Sequence, residues 1–235
     1  MLTQILPDEA AVAKAKRQPG KRRPASPRER LLSAATQLFC RYGINSIGVD
    51  AIIEKAGTAK ATLYNTFGSK EALVCEVLDQ EGRNWRDWLF SEIDSFEGSG
   101  RDKLLHVFDV LEIWFRDRKY FGCPFINAVA ENDKLDERLR AIALGHKKIV
   151  LDRMIELASE ARVLSPEKTA HELGLVIDGS IVAALITRDP SVAGVARRAA
   201  EAILMCGVET NPSRALPAGV LPAASIARSP LRKSR

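Results

Sequence analysis

Apolar side chains first settle into a helical rhythm after residue 25. Leu31, Leu32, Ala35, Leu38 and Phe39 recur at the spacing of one helix face. The run opens on Ser26-Pro27-Arg28-Glu29, with Ser as N-cap, Pro at the first helical position and Glu at the third, a capping box. Tyr42-Gly43 closes it with a residue that tolerates the left-handed conformation. A second short helix is expected from about Val49 to Lys55, with Val49, Ile52 and Ile53 on its inner side and a stop at Ala56-Gly57. A third begins at Thr58 or Ala59 and runs to about Asn65, with Leu63 and Phe67 facing inward.

The periodicity stays helical to the end of the body. Ser69 caps a long helix whose Leu73, Val74, Val77 and Leu78 face a core, and which continues through Trp85, Trp88 and Leu89. Glu97-Gly98-Ser99-Gly100 breaks the pattern, and a helix through about Asp117 follows, with Leu104, Leu105, Phe108, Leu111 and Phe115 inside. Gly122-Cys123-Pro124 starts a short helix to about Glu131, and a long one spans about Leu135 to Arg162. Ser165-Pro166 opens another to about Thr187, and Asp189-Pro190 opens the last, ending near Cys206-Gly207. With no strand alternation and no internal repeat, the expectation is an all-α chain of about nine helices. The helix from Pro166 to Thr187 is apolar on nearly all sides, so either the chain's own core or a second subunit must cover it all round.

Charge divides the chain more sharply than its net +5 suggests. Residues 1–27 carry six basic side chains against two acids, residues 28–70 six against three, and residues 211–235 five against none. The body, residues 71–210, is acidic, with 25 Asp and Glu against 18 Lys and Arg. A basic module on an acidic body suits a protein that meets phosphate with one face. The expected organisation is a flexible basic arm over 1–25, a DNA-binding unit over 26–70, a helical domain over 71–210 and a basic tail over 211–235. No run approaches roughly 18 uninterrupted apolar residues, and no secretory signal is visible, so no membrane partner is expected. The four cysteines show no metal-ligand spacing and fit a reducing cytoplasm.

The chemistry concentrates in the second and third helices. A helix, a Gly-containing turn and a second helix form the helix-turn-helix layout, in which the later helix enters the major groove of double-stranded DNA. Its exposed side would carry Lys60, Thr62, Tyr64 and Asn65, a phosphate cation, hydroxyls and an amide that pairs bidentately with adenine. Lys21, Arg22 and Arg23 lie just before the first helix, where an arm can reach the adjacent minor groove or backbone.

The run Gly57-Thr58-Ala59-Lys60-Ala61-Thr62-Leu63-Tyr64-Asn65-Thr66-Phe67-Gly68-Ser69-Lys70-Glu71-Ala72-Leu73 resembles the DNA-binding signature of the TetR family of transcriptional regulators. Ala34-Ala35 through Phe39, with Tyr42-Gly43, resembles it too. Gly122-Cys123-Pro124-Phe125-Ile126-Asn127-Ala128 is similar to a segment of the ligand-binding half of one subgroup. Three positions depart from the pattern. Gly48 and Ala59 stand where the family caps its second and third helices with Ser or Thr, and Ala61 stands where Gly is common. Ser46 is then the available hydroxyl near the second helix, and Thr58 can cap the third one residue early.

The resemblance implies bases read by Thr62 and Asn65 and phosphates held by Lys60, Tyr64 and Lys70. It also implies a homodimer through about residues 166–206, a palindromic operator and repression relieved by a small-molecule effector. A twofold pair of recognition helices reads two half-sites, which one short helix cannot do alone. The aromatic cluster of residues 85–125 is either core or an effector pocket, with Trp85, Trp88, Phe108, Trp114, Phe115 and Phe125 as candidates. His146 and Asp178 are candidate hydrogen-bonding groups for it, or satisfied buried polar residues. Cys123, at a helix start, is a candidate redox sensor or a packing residue. With no catalytic constellation, phosphate-cradling glycine loop or metal set, no enzyme activity, cofactor or metal is expected. The alternatives are an architectural protein that binds DNA by charge alone and a helical-bundle enzyme.

Overall fold

The computed structural model describes residues 24–132 and 136–206. The arm residues Lys21, Arg22 and Arg23 and the tail from 207 onward lie outside the described residues. Those described form nine α-helices and no strand: α1 Pro27–Tyr42, α2 Val49–Ala56, α3 Lys60–Phe67, α4 Lys70–Ser95, α5 Gly100–Phe115, α6 Pro124–Glu131, α7 Glu137–Glu160, α8 Pro166–Thr187 and α9 Val192–Cys206.

Local chemistry explains the ends. Ser26 accepts from the Glu29 N–H while the Glu29 carboxylate accepts from the Ser26 N–H, the reciprocal box expected at α1. Ser69 caps α4 through the Ala72 N–H. The long α7 starts at Glu137 because Asp136 accepts from the N–H groups of Arg138 and Leu139, so it begins just after the expected Leu135. The fifth helix stops at Phe115 rather than Asp117, and α8 ends where Arg188 turns left-handed.

Two layers share α4. At one end α1, α2 and α3 close a small core of Leu31, Ala35, Phe39, Ile52, Leu63 and Phe67. At the other, α4, α5, α7, α8 and α9 pack as a bundle around Phe108, Leu111, Met154, Leu157 and Leu173. Short α6 lies between them, against α7 and α4. Helix α8 is long and apolar enough to cross a membrane by length and composition. In this fold it packs on α5, α7 and α9, burying Leu173, Ile177, Ile181 and Ala184. Its opposite stripe, Leu175, Val182 and Ile186, is exposed, Leu175 and Ile186 to 75% each.

Candidate nucleic-acid interface and cavity

The turn between α2 and α3 sets the presentation of α3. Gly57 ends α2 at φ 60 and ψ 46, and its N–H and that of Thr58 return to the carbonyls of Glu54 and Ile53. A Cβ on Gly57 would meet nothing within 4 Å, so backbone conformation rather than crowding calls for glycine here. Leu63 and Phe67 are buried under α3, while Lys60, Tyr64 and Asn65 are exposed and Thr62 is half-buried. Lys60 Nζ lies 3.2 Å from the Asp50 carboxylate, both side chains well exposed. Such a surface pair is readily exchanged for phosphate.

Two expected contacts, Thr58 and Lys70, sit differently from their simplest reading. Helix α3 starts at Lys60 with Ala59 as N-cap, so Thr58 does not cap it one residue early, and the helix continues past Asn65 to Phe67. The Thr58 hydroxyl instead points inward, buried and without a hydrogen bond. Lys70 Nζ donates to the Ile44 carbonyl at 2.8 Å and lies 6.0 Å from the Phe39 ring, tying the start of α4 to the turn after α1. Ser46 is exposed in that turn, Gly48 caps α2 with no side-chain bond, and Ala61 is exposed on α3.

A cavity of about 540 Å³ opens between α1, α4, α5, α6, α7 and α8. Of the pocket candidates, Trp85, Trp114, Phe125, His146 and Asp178 line it. Trp88, Phe108 and Phe115 do not: Phe108 and Phe115 are core, and Trp88 packs on that core half-buried. His146 is 7% exposed, with Phe125 stacked on it at 4.0 Å and Trp85 tilted against it at 5.6 Å. Arg86 Nη1 approaches His146 Nδ1 at 2.7 Å. Burial first, then the neighbouring charges of Arg86 and Lys147, push the His146 pKa down to about 3, so the ring is neutral. Asp178 is paired with Lys147. Glycine is required at position 82, because a Cβ there would sit 2.8 Å from Phe125 and 2.9 Å from Arg86 Nη1.

The cavity also has walls that the sequence did not flag. Cys40, from α1 itself, and Glu81, from α4, both line it. Burial raises the Glu81 pKa, and burial together with Glu81 pushes the Cys40 thiol up to about 12. Burial likewise raises the thiol of Cys123, which is 5% exposed. That favours packing over thiolate chemistry, since reactive thiols need a depressed pKa.

The α6 end of the cavity wall is fastened to the DNA-binding unit. The Glu131 carboxylate accepts from the Ile44 N–H at 2.7 Å and the Asn45 N–H at 3.4 Å, while the Asn45 amide donates to the Glu131 carbonyl at 2.7 Å.

Residues 31–77 match the family model described as bacterial regulatory proteins, tetR family, and residues 100–200 match the tetracyclin repressor-like C-terminal domain. A TetR-family transcriptional regulator from Streptomyces coelicolor superimposes with a TM-score of 0.71 at 30% identity, over 78% of this chain and 96% of that one. The chain belongs to the TetR family.

As a TetR-family protein it is a DNA-binding transcriptional regulator. An uncharacterised helix-turn-helix regulator of Lactococcus lactis is 26% identical over 172 residues, 70% of this chain and 86% of its own length. The repressor KstR2 of Mycolicibacterium smegmatis is 42% identical over 67 residues, 28% of this chain and 31% of its own length. Glu81 could have been found in the sequence, because Val77, Glu81 and Trp85 share one face of a helix at i, i+4 spacing. Cys40 carried no such signal, since it meets the cavity only through the packing of α1 on α4.

Proposed function

We propose that this TetR-family regulator is a cytoplasmic homodimeric repressor that binds a palindromic operator and is released by a small molecule in the 540 Å³ cavity. The observation that carries this reading is the cavity wall itself. It includes Cys40 of the DNA-binding helix α1, and its α6 wall ends at the Glu131 clamp on the turn after α1. Filling the cavity therefore bears on the helices that hold α3. An effector that prefers a state in which two recognition helices no longer match their half-sites shifts the population towards free protein.

Thr62 and Asn65 are assigned to bases, Lys60 and Tyr64 to phosphates, and Ser46 and Ala61 to the flanks of the same contact. For Thr58 and Lys70, both bonded or buried inward, the assigned role is to hold α3 in place rather than to touch phosphate. The exposed α8 stripe of Leu175, Val182 and Ile186, with Val195 and Met205 exposed on α9, supports a dimer through residues 166–206. A Cβ on Gly179 would meet nothing within 4 Å, so that part of α8 leaves room for a close partner helix.

Selection of binding sites from random duplexes tests the reading. A palindrome with half-sites one helical turn apart, or a multiple, is expected, and Asn65→Ala should lose it. Enrichment of no sequence, with a steep salt dependence, would leave a charge-driven architectural protein instead. Val182→Asp should convert the dimer to monomer in sedimentation.

A further inference from the structure

We infer that the cavity takes an uncharged, ring-bearing molecule whose carbonyl-type oxygen accepts a hydrogen bond from His146 Nε2. The inference rests on the reading above that this cavity is the effector site. Arginine only donates, so the ring nitrogen facing Arg86 Nη1 at 2.7 Å must offer its lone pair. A neutral imidazole then carries its proton on Nε2. That N–H has no hydrogen-bond partner among the described residues, although the side chain is 93% buried, being only 7% exposed, and lines the cavity. Without such a partner, this donor opens on the cavity, where a ligand oxygen can accept from it.

The donor is also held in place. Phe125 stacks on one face of the ring at 4.0 Å, Trp85 leans on it at 5.6 Å and Arg86 fixes one edge. Little rotamer freedom is left to lose on binding. The neighbouring walls are Trp114 and Met154, which suit flat apolar rings. Net charge on the ligand is disfavoured in both directions. Arg86 behind the imidazole repels a cation, whereas Glu81 on the α4 wall repels an anion. Lys147 and Asp178 already neutralise each other at the α7–α8 side. The His146 ring that faces the ligand is itself neutral, its pKa lowered by burial and by the charges of Arg86 and Lys147.

Three probes of one shape test this: benzophenone, 1,1-diphenylethylene, which has =CH2 in place of =O, and benzhydrylamine, which is protonated at neutral pH. Two of the three tryptophans, Trp85 and Trp114, line the cavity, so calorimetry can be cross-checked by their emission. The ketone should bind about fivefold tighter than the alkene, the worth of one neutral hydrogen bond, and the amine should bind weakest. In His146→Phe the ketone preference should shrink to within about twofold while alkene binding persists. His146→Gln, which keeps a donor, should restore part of it. Under ultraviolet light the bound ketone should label the cavity wall, with Met154 within reach.

Equal affinities for ketone and alkene, tightest binding of the amine, no binding of any probe, or labelling outside the cavity would each overturn the inference. If the ketone binds with the expected preference but leaves selected operator DNA bound, the effector reading fails and the ligand chemistry stands.

Discussion

Replacing Glu131 by Ala tests whether α6 is energetically joined to the DNA-binding unit. The carboxylate accepts from the Ile44 N–H at 2.7 Å, and Ile44 is itself buried. Hydrogen bonds to a charged acceptor contribute about 1.5–3 kcal/mol. Glu131 is exposed, so water replaces part of the bond, and about 1.5 kcal/mol is the better figure. For a chain of this size that lowers the melting temperature by roughly 3–6 °C, measurable by circular dichroism.

Gly43 supplies the cross-check. Its φ of 86 and ψ of 157 fall in a region reserved for glycine, and a Cβ would sit 2.7 Å from the Glu131 carboxylate. Gly43→Ala therefore combines about 1–3 kcal/mol of backbone strain with a clash that Glu131→Ala removes. The double variant should be more stable than the sum of the singles predicts, by about 1 kcal/mol. Effector-driven release of DNA should weaken in Glu131→Ala. An Ala variant that melts with the parent, together with an additive cycle, would refute the clamp.

Other expectations follow from single sites. Thr58→Val replaces a buried, unbonded hydroxyl with a methyl and should be neutral or stabilising by up to about 1 kcal/mol in urea denaturation, with operator affinity intact; a loss of affinity would instead make Thr58 a DNA contact. Ala59→Ser adds the missing cap of α3 and should stabilise by about 1 kcal/mol, and no gain would mean the first turn is satisfied otherwise. Gly82→Ala should destabilise by about 1–2 kcal/mol despite better helix propensity, because its Cβ meets Phe125 and Arg86, and it should weaken probe binding in the same titration. His146 titrates near 3 when folded and near 6.5 when unfolded, so below pH 6.5 the unfolded chain binds the extra proton and stability falls as pH drops. From pH 7 to 5 this amounts to about 2 kcal/mol, and His146→Gln should lose less over that range; parallel profiles would contradict it.

The sequence by itself carried the three N-terminal helices, the all-α class and the family signature. Those signals are local. Ser26 and Glu29 bond across one turn, Gly57 takes its left-handed conformation within its own turn, and Leu63 and Phe67 are placed by helical period. Local reasoning went astray where two neighbours competed for one role. Thr58 and Ala59 were both able to start α3, and burial of the Thr58 side chain left the cap to Ala59.

The cavity was different in kind. Phe108, Phe115 and Trp88 look like Trp85, Trp114 and Phe125 in composition, and only the packing of α4, α5 and α6 into the helical bundle decides which become core. Cys40, Glu81, His146 and Asp178 come from four helices spread along the chain, and a clamp joins Glu131 to Ile44 across 87 residues. Contacts at that separation leave no period in the sequence. They exist only once the bundle has closed and brought α1, α4, α5, α6, α7 and α8 around one space.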